Sequence, residues 1–213
     1  MLGIHDWWLF IISGLLLNLM PGPDTLFIMS KSASQGWKAG VAASLGICSG
    51  VYVHVFAAAF GLSALLATSA AAFVVVKLMG AAYLIYLGWM TLRQRAAVAN
   101  EAKVQAVQTK QPLFTVYHQG FLTNALNPKV ALFFLAFVPQ FISEDSTNTV
   151  LAFILLGTVF DISSLIWCTS VALFTAFASE RLQLSASVKT WLNKLVGSLF
   201  IGLGIRLAVS AQS

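Results

Sequence analysis

From Ala39 to Val76 the chain carries no lysine, arginine, aspartate or glutamate. A helix needs roughly 20 apolar residues to cross a bilayer. This one run therefore holds a span and the start of another. The rest of the chain agrees, being 59% hydrophobic and 9% charged, where soluble domains carry about 25% charge. The fold class is an all-α integral membrane protein.

A second feature limits how those helices run. The first apolar stretch, from Trp7 to about Met29, contains Asn18-Leu19-Met20-Pro21-Gly22-Pro23-Asp24. Each proline lacks an N–H and clashes with the carbonyl one turn back. The stretch is therefore two half-helices with a break at membrane depth. Such a break survives in hydrocarbon only where protein or a watery cavity covers it. Asn124-Ala125-Leu126-Asn127-Pro128-Lys129 is the second place of this kind. The first span is expected to stay in the protein: no lysine or arginine precedes it, and its breaks do not suit a cleaved signal peptide.

Six spans are expected: Trp7 to Ser30, Ala39 to Leu66, Ala72 to Arg93, Gly120 to Phe141, Thr149 to Ala178 and Lys189 to Val209. Residues 94–119 are the one long polar segment. Lys31, Lys38, Arg93, Arg95, Lys103, Lys110, Arg181 and Lys189 all follow spans 1, 3 and 5. Cytoplasmic loops carry the excess of basic residues. This places residues 94–119 in the cytoplasm and both termini outside. The net charge of +5 belongs to those loops, and no basic stripe with interleaved aromatics points to nucleic acid.

The halves resemble each other. Gly14-x-x-x-Asn18 before Pro-Gly-Pro parallels Gly120-x-x-x-Asn124 before Asn127-Pro128, and Lys77-Leu78-Met79-Gly80 parallels Lys194-Leu195-Val196-Gly197. Three spans per half make the second half enter from the opposite side. The expected plan is one transporter domain over 1–213, with repeat 1 about 1–93, a cytoplasmic loop about 94–119 and repeat 2 about 120–213. Inverted repeats with paired broken helices flank a midplane site in secondary transporters.

The candidate site residues lie at the breaks and at mid-span. Pro23 suits the first position of a new half-helix, whose free N–H groups and dipole attract a carboxylate. Asp24 either belongs to a substrate site there or complements the dipole of a kinked span. Asn18, Asn124 and Asn127 can satisfy backbone groups freed at the breaks. Lys129 is either a counter-charge or an interfacial lysine. Pro21, Gly22 and Pro128 complete the candidate substrate-binding set. Asp161 and His54 sit mid-span, where a charge costs roughly 2.5–3.5 kcal/mol. They are candidates for proton coupling, with an interhelical hydrogen bond as the alternative for His54. Gly46-x-x-x-Gly50 reads as close helix packing. No catalytic, phosphate-binding or metal motif is present, so neither an enzyme nor a cofactor is expected.

Pro21-Gly22-Pro23-Asp24-Thr25-Leu26-Phe27 with Gly36 and Gly46 resembles the first helices of the LysE/RhtB exporters. Asn124 to Lys129, Phe137-x-Pro139-Gln140-Phe141, Asp161 and Gly197-Ser-Leu-Phe200 resemble the remainder, so nearly the whole chain is covered. The resemblance implies proton-driven export of amino acids from a bacterial cytoplasm across the inner membrane. The partners are then the amino acid, protons and lipid, and a homo-oligomer is compatible with it. His54 and the neutral spans 2 and 5 look more like the branch exporting threonine, homoserine or homoserine lactone. A membrane thiol–disulfide relay is the competing function, because Cys48 and Cys168 fall in opposite halves.

Overall fold

A computed structural model describes residues 2–20, 22–62, 110–143 and 145–178, with isolated helical positions between 75 and 89 and between 198 and 209. Every regular element among these is helical, apart from one bridge between Ile4 and Ile142. The elements are α1 (Trp7–Leu19), α2 (Pro23–Gln35), α3 (Trp37–Phe56), α4 (Leu113–Ala125), α5 (Pro128–Leu132) and α6 (Thr149–Ala178). Spans 3 and 6, the Lys-Leu-x-Gly pair, Pro21 and Glu144 lie outside the described residues, as does most of the polar segment.

Two helices are long and apolar enough to cross a membrane: α3 with its π-helical continuation to Leu62, and α6. Two bent pairs qualify if each is taken as one span. α1 and α2 meet at 54°, and α4 and the stretch Pro128–Phe141 at 47°. Both breaks therefore occur where the prolines require them. Pro23 is in the first turn of α2, and Pro128 in the first turn of α5. The second broken span starts at Leu113, seven positions before the expected Gly120. Pro112 caps it, and Val116 is fully buried despite its polar neighbours His118 and Gln119. Gly36 makes the α2–α3 turn at φ 85°, a conformation that needs no Cβ.

The two broken spans run in opposite directions. At one end Phe10 of α1 meets Phe141, with ring centroids 5.3 Å apart. There the N-terminal tail is stitched to the far end of the second broken span, His5 N donating to Phe141 O at 3.0 Å and Ser143 N to Gly3 O at 2.9 Å. At the other end Lys31 and Gln35 of α2 both bond Gln111, just ahead of α4. An inverted repeat requires this antiparallel pairing.

Lipid tails are as apolar as leucine, so helices in a membrane associate by close packing. Here glycines allow it. A Cβ on Gly46 would fall on the Tyr117 carbonyl oxygen, and one on Gly50 would stand 2.7 Å from Phe121 O. A Cβ on Gly120 would stand 2.6 Å from Ala43 O. The Gly46-x-x-x-Gly50 face of α3 thus lies backbone to backbone on α4. Two apolar cores result. The larger is a connected set of rings, Phe10, Phe133, Phe134, Phe137, Phe141 and Phe160. The smaller joins Ile28, Ala43, Ile47, Val116, Cys168 and Ala172.

Gly120→Ala must push backbone apart and should destabilise the fold by about 1–3 kcal/mol, seen as a lower melting temperature in detergent. Gly61→Ala, where the new methyl meets nothing within 4 Å, should leave it unchanged.

Candidate functional site

The two breaks cap each other. α1 ends at the first break with open carbonyls, and the Lys129 ammonium from the second break donates to Leu17 O at 3.1 Å and Met20 O at 3.2 Å. α2 starts beyond the same break with Asp24 in its first turn. Its Oδ2 accepts from Asn124 Nδ2 and from Asn127 Nδ2, each at 2.9 Å. A cation at the negative end of one half-helix and a carboxylate at the positive end of the next both match the helix dipoles. Asn127 also serves its own helix, because its Oδ1 accepts from Lys129 N at 3.0 Å and so caps α5.

Gly22 is extended, so its backbone angles do not demand glycine. Space does. A Cβ there would lie 3.2 Å from Lys129 Nζ. The lysine is therefore no interfacial residue; it fills the first break. Asn124 is the other hub. Its carbonyl accepts from Asn127 N at 2.8 Å and faces His54 Nε2 at 2.9 Å. A carbonyl can only accept, so Nε2 carries the proton. His54 thus braces the broken helix across the α3–α4 contact, the interhelical alternative stated for it.

Beside this junction lies a cavity of about 20 Å³, room for about one water. Asn18, Asp24, Asn124 and Lys129 form its polar wall, and Leu17, Ile47, Val51, Val130 and Phe160 its apolar wall. Asn18 Nδ2 donates to Ser164 Oγ at 2.9 Å. Three buried polar atoms here lack partners among the described residues: the acceptors Asp24 Oδ1 and Asn124 Oδ1, and the donor Trp167 Nε1. Such atoms are rare and call for an explanation. Thr25, Ser164 and Trp167 line the cavity but were not candidate site residues from sequence; Cys168, read there as a relay thiol, lines it too. One signal was available: Asp161, Ser164 and Cys168 follow at helical spacings of three and four.

Asp161 is absent from that lining. It is buried on α6 with the Cys48 thiol nearby, and its Oδ1 has no partner among the described residues. Cys48 and Cys168 are buried free thiols that lie near each other. Cys168 lines the cavity. His54 bonds Asn124 and is no partner of Asp161 in this arrangement.

The family model of the LysE type translocator matches residues 15–211. A leucine efflux protein of Salmonella typhimurium is 30% identical over 97% of this chain and 96% of its own length. A leucine efflux protein of Enterobacter is 31% identical over the same shares. An uncharacterized membrane protein of Pseudomonas aeruginosa is 32% identical over 100% of the chain and 99% of its own length. No solved structure matches.

Gly22→Leu should force the Lys129 ammonium off Leu17 and Met20. Losing hydrogen bonds from a charged group should cost about 1.5–3 kcal/mol, read as thermal stability in detergent. Gly22→Ala, for which the flexible lysine tip need give only slightly, should cost less than half as much.

Proposed function

The chain belongs to the LysE type translocator family, and on that basis we propose that it exports a neutral aliphatic α-amino acid such as leucine in exchange for protons. Translocators are not enzymes, so the thiol-relay reading of Cys48 and Cys168 does not hold.

The observation that carries the reading is the paired charge at one small cavity. Asp24 and Lys129 give it one negative and one positive group and no net charge. A zwitterion offers the complement. Its ammonium supplies donors for Asp24 Oδ1 and Asn124 Oδ1, which lack them. Its carboxylate suits Lys129 Nζ, the start of α2 and the free Trp167 N–H. The side chain then meets Leu17, Ile47, Val51, Val130 and Phe160. That apolar wall suits an aliphatic chain better than the hydroxyl of threonine or homoserine. Two of the three relatives named above are likewise leucine efflux proteins. A cationic amino acid would bring an extra charge that nothing in the wall neutralises.

Gln111, Lys31 and Lys38 end in the cytoplasm in the proposed orientation, and both termini lie on the outer face of a bacterial inner membrane. Asp161 is the proposed proton site. It is an acidic side chain buried at mid-span, one oxygen has no partner among the described residues, and Ser164 and Cys168, one and two turns along α6, line the cavity. A proton leaving or reaching it changes the charge one helical turn from Ser164 in the cavity wall, close enough to couple to a substrate held there.

The test is uptake of labelled leucine into inside-out vesicles, with and without an imposed proton gradient. Asp24→Asn should lose both gradient-driven uptake and leucine–leucine exchange by at least about tenfold, the loss of one good charged contact. Asp161→Asn should keep exchange and lose accumulation. Gradient-driven accumulation at the wild-type level by Asp161→Asn would remove that residue from coupling.

A further inference from the structure

Asp24, Phe27, Ile28, Lys31 and Gln35 follow each other along α2 at spacings of three and four, so they share one face. Lys31 lies seven residues beyond Asp24, about 10 Å along the helix. It is only 6% exposed. Its Nζ donates to Gln111 Oε1 at 2.8 Å and stands 5.4 Å from the centre of the Phe27 ring. Among the described residues no carboxylate pairs with it. Gln35 Oε1 accepts from Gln111 N at 2.9 Å, while Gln35 Nε2 is buried without a partner among the described residues.

Among the described residues the cluster is thus rich in donors, carries one buried positive charge and holds only a neutral amide against it. A buried cation is costly unless an anion pairs with it. Between this cluster and the cavity stands the smaller apolar core. On each helix its members lie between the two places: Ile28 between Asp24 and Lys31 on α2, Val116 between Gln111 and Asn124 on α4. On α3, Ile47 lines the cavity and Ala43 lies one turn nearer to Gly40, which packs on Ser32. The cluster and the cavity are therefore two polar places along the same helices, with an apolar layer between them.

We propose that Lys31, Gln35 and Gln111 form an access site that binds the α-carboxylate of the amino acid before it passes the apolar layer to Asp24 and Lys129. The proposal rests on the amino-acid reading above. The carboxylate takes the Lys31 ammonium from the Gln111 amide and gives Gln35 Nε2 an acceptor. In the proposed orientation this end faces the cytoplasm, where an exporter loads. The site then sets the affinity for loading, and the inner site sets turnover.

The experiment is the concentration dependence of labelled-leucine uptake into inside-out vesicles, whose cytoplasmic face is outward. Lys31→Met keeps the apolar stem and removes the charge. It should raise KM about tenfold, the worth of one charge-assisted bond, at unchanged Vmax per inserted protein. Lys31→Arg should stay within about threefold of the wild-type KM, since the charge is kept. A wild-type KM in Lys31→Met overturns the proposal. So does a loss confined to Vmax, which marks a merely structural lysine. Wild-type vesicles that take up no leucine would sink the amino-acid reading, and this proposal with it. Normal wild-type uptake with an indifferent Lys31→Met sinks this proposal alone.

Discussion

The rest of the structure depends on the exchange of caps between two broken helices. Each break leaves backbone groups open at a depth where water cannot serve them. Lys129 covers the carbonyls at the end of α1, and Asn124 and Asn127 hold the carboxylate at the start of α2. Neither break is stable by itself. Opposite charges, drawn from opposite breaks, make one junction of them. The antiparallel course of the two spans, the glycine contact between α3 and α4 and the brace from His54 all serve to bring those groups to one place.

The junction also explains why a cavity sits there. Groups that cap each other can be recruited by a ligand carrying the same two charges. The cavity holds little more than a water, and it lies between two apolar clusters among the described residues, the phenylalanine cluster and the Ile28–Val116 cluster. An amino acid is larger than this space. Binding one therefore requires the packing around the cavity to move. Packing without hydrophobic drive between helices suits such movement, because little is lost when apolar faces separate into lipid. Small residues at the α3–α4 contact make those faces smooth.

Much of this was legible in the sequence. Proline chemistry located both breaks; Pro23 stands in the first turn of its half-helix as expected, and Pro128 stands in the first turn of α5. Gly46-x-x-x-Gly50 is the close contact it was read to be. The candidate residues at the breaks do converge: Asn18, Asp24, Asn124 and Lys129 line one cavity. What could not be read was who bonds whom. Lys129 lies more than a hundred residues from Leu17, and only the fold sets its ammonium on that carbonyl. The same holds for Cys48 and Cys168, which no spacing rule joins. Ser164 and Trp167 were missed because serine and tryptophan at mid-span carry no cost that marks them, unlike Asp161. The start of α4 was misplaced because His118 and Gln119 look like loop, while the burial of Val116 decides for helix.

A double-mutant cycle on Asp24 and Lys129 tests the reciprocal cap most directly. Thermal or denaturant stability in detergent is measured for the wild type, Asp24→Asn, Lys129→Met and the double variant. Each single change leaves a buried charge without its opposite at the junction, whereas the double removes both charges. The double variant should therefore lose less than the sum of the single losses, by at least about 1 kcal/mol. Losses that simply add would mean that the two breaks are stabilised separately, and the account of one shared junction would be wrong.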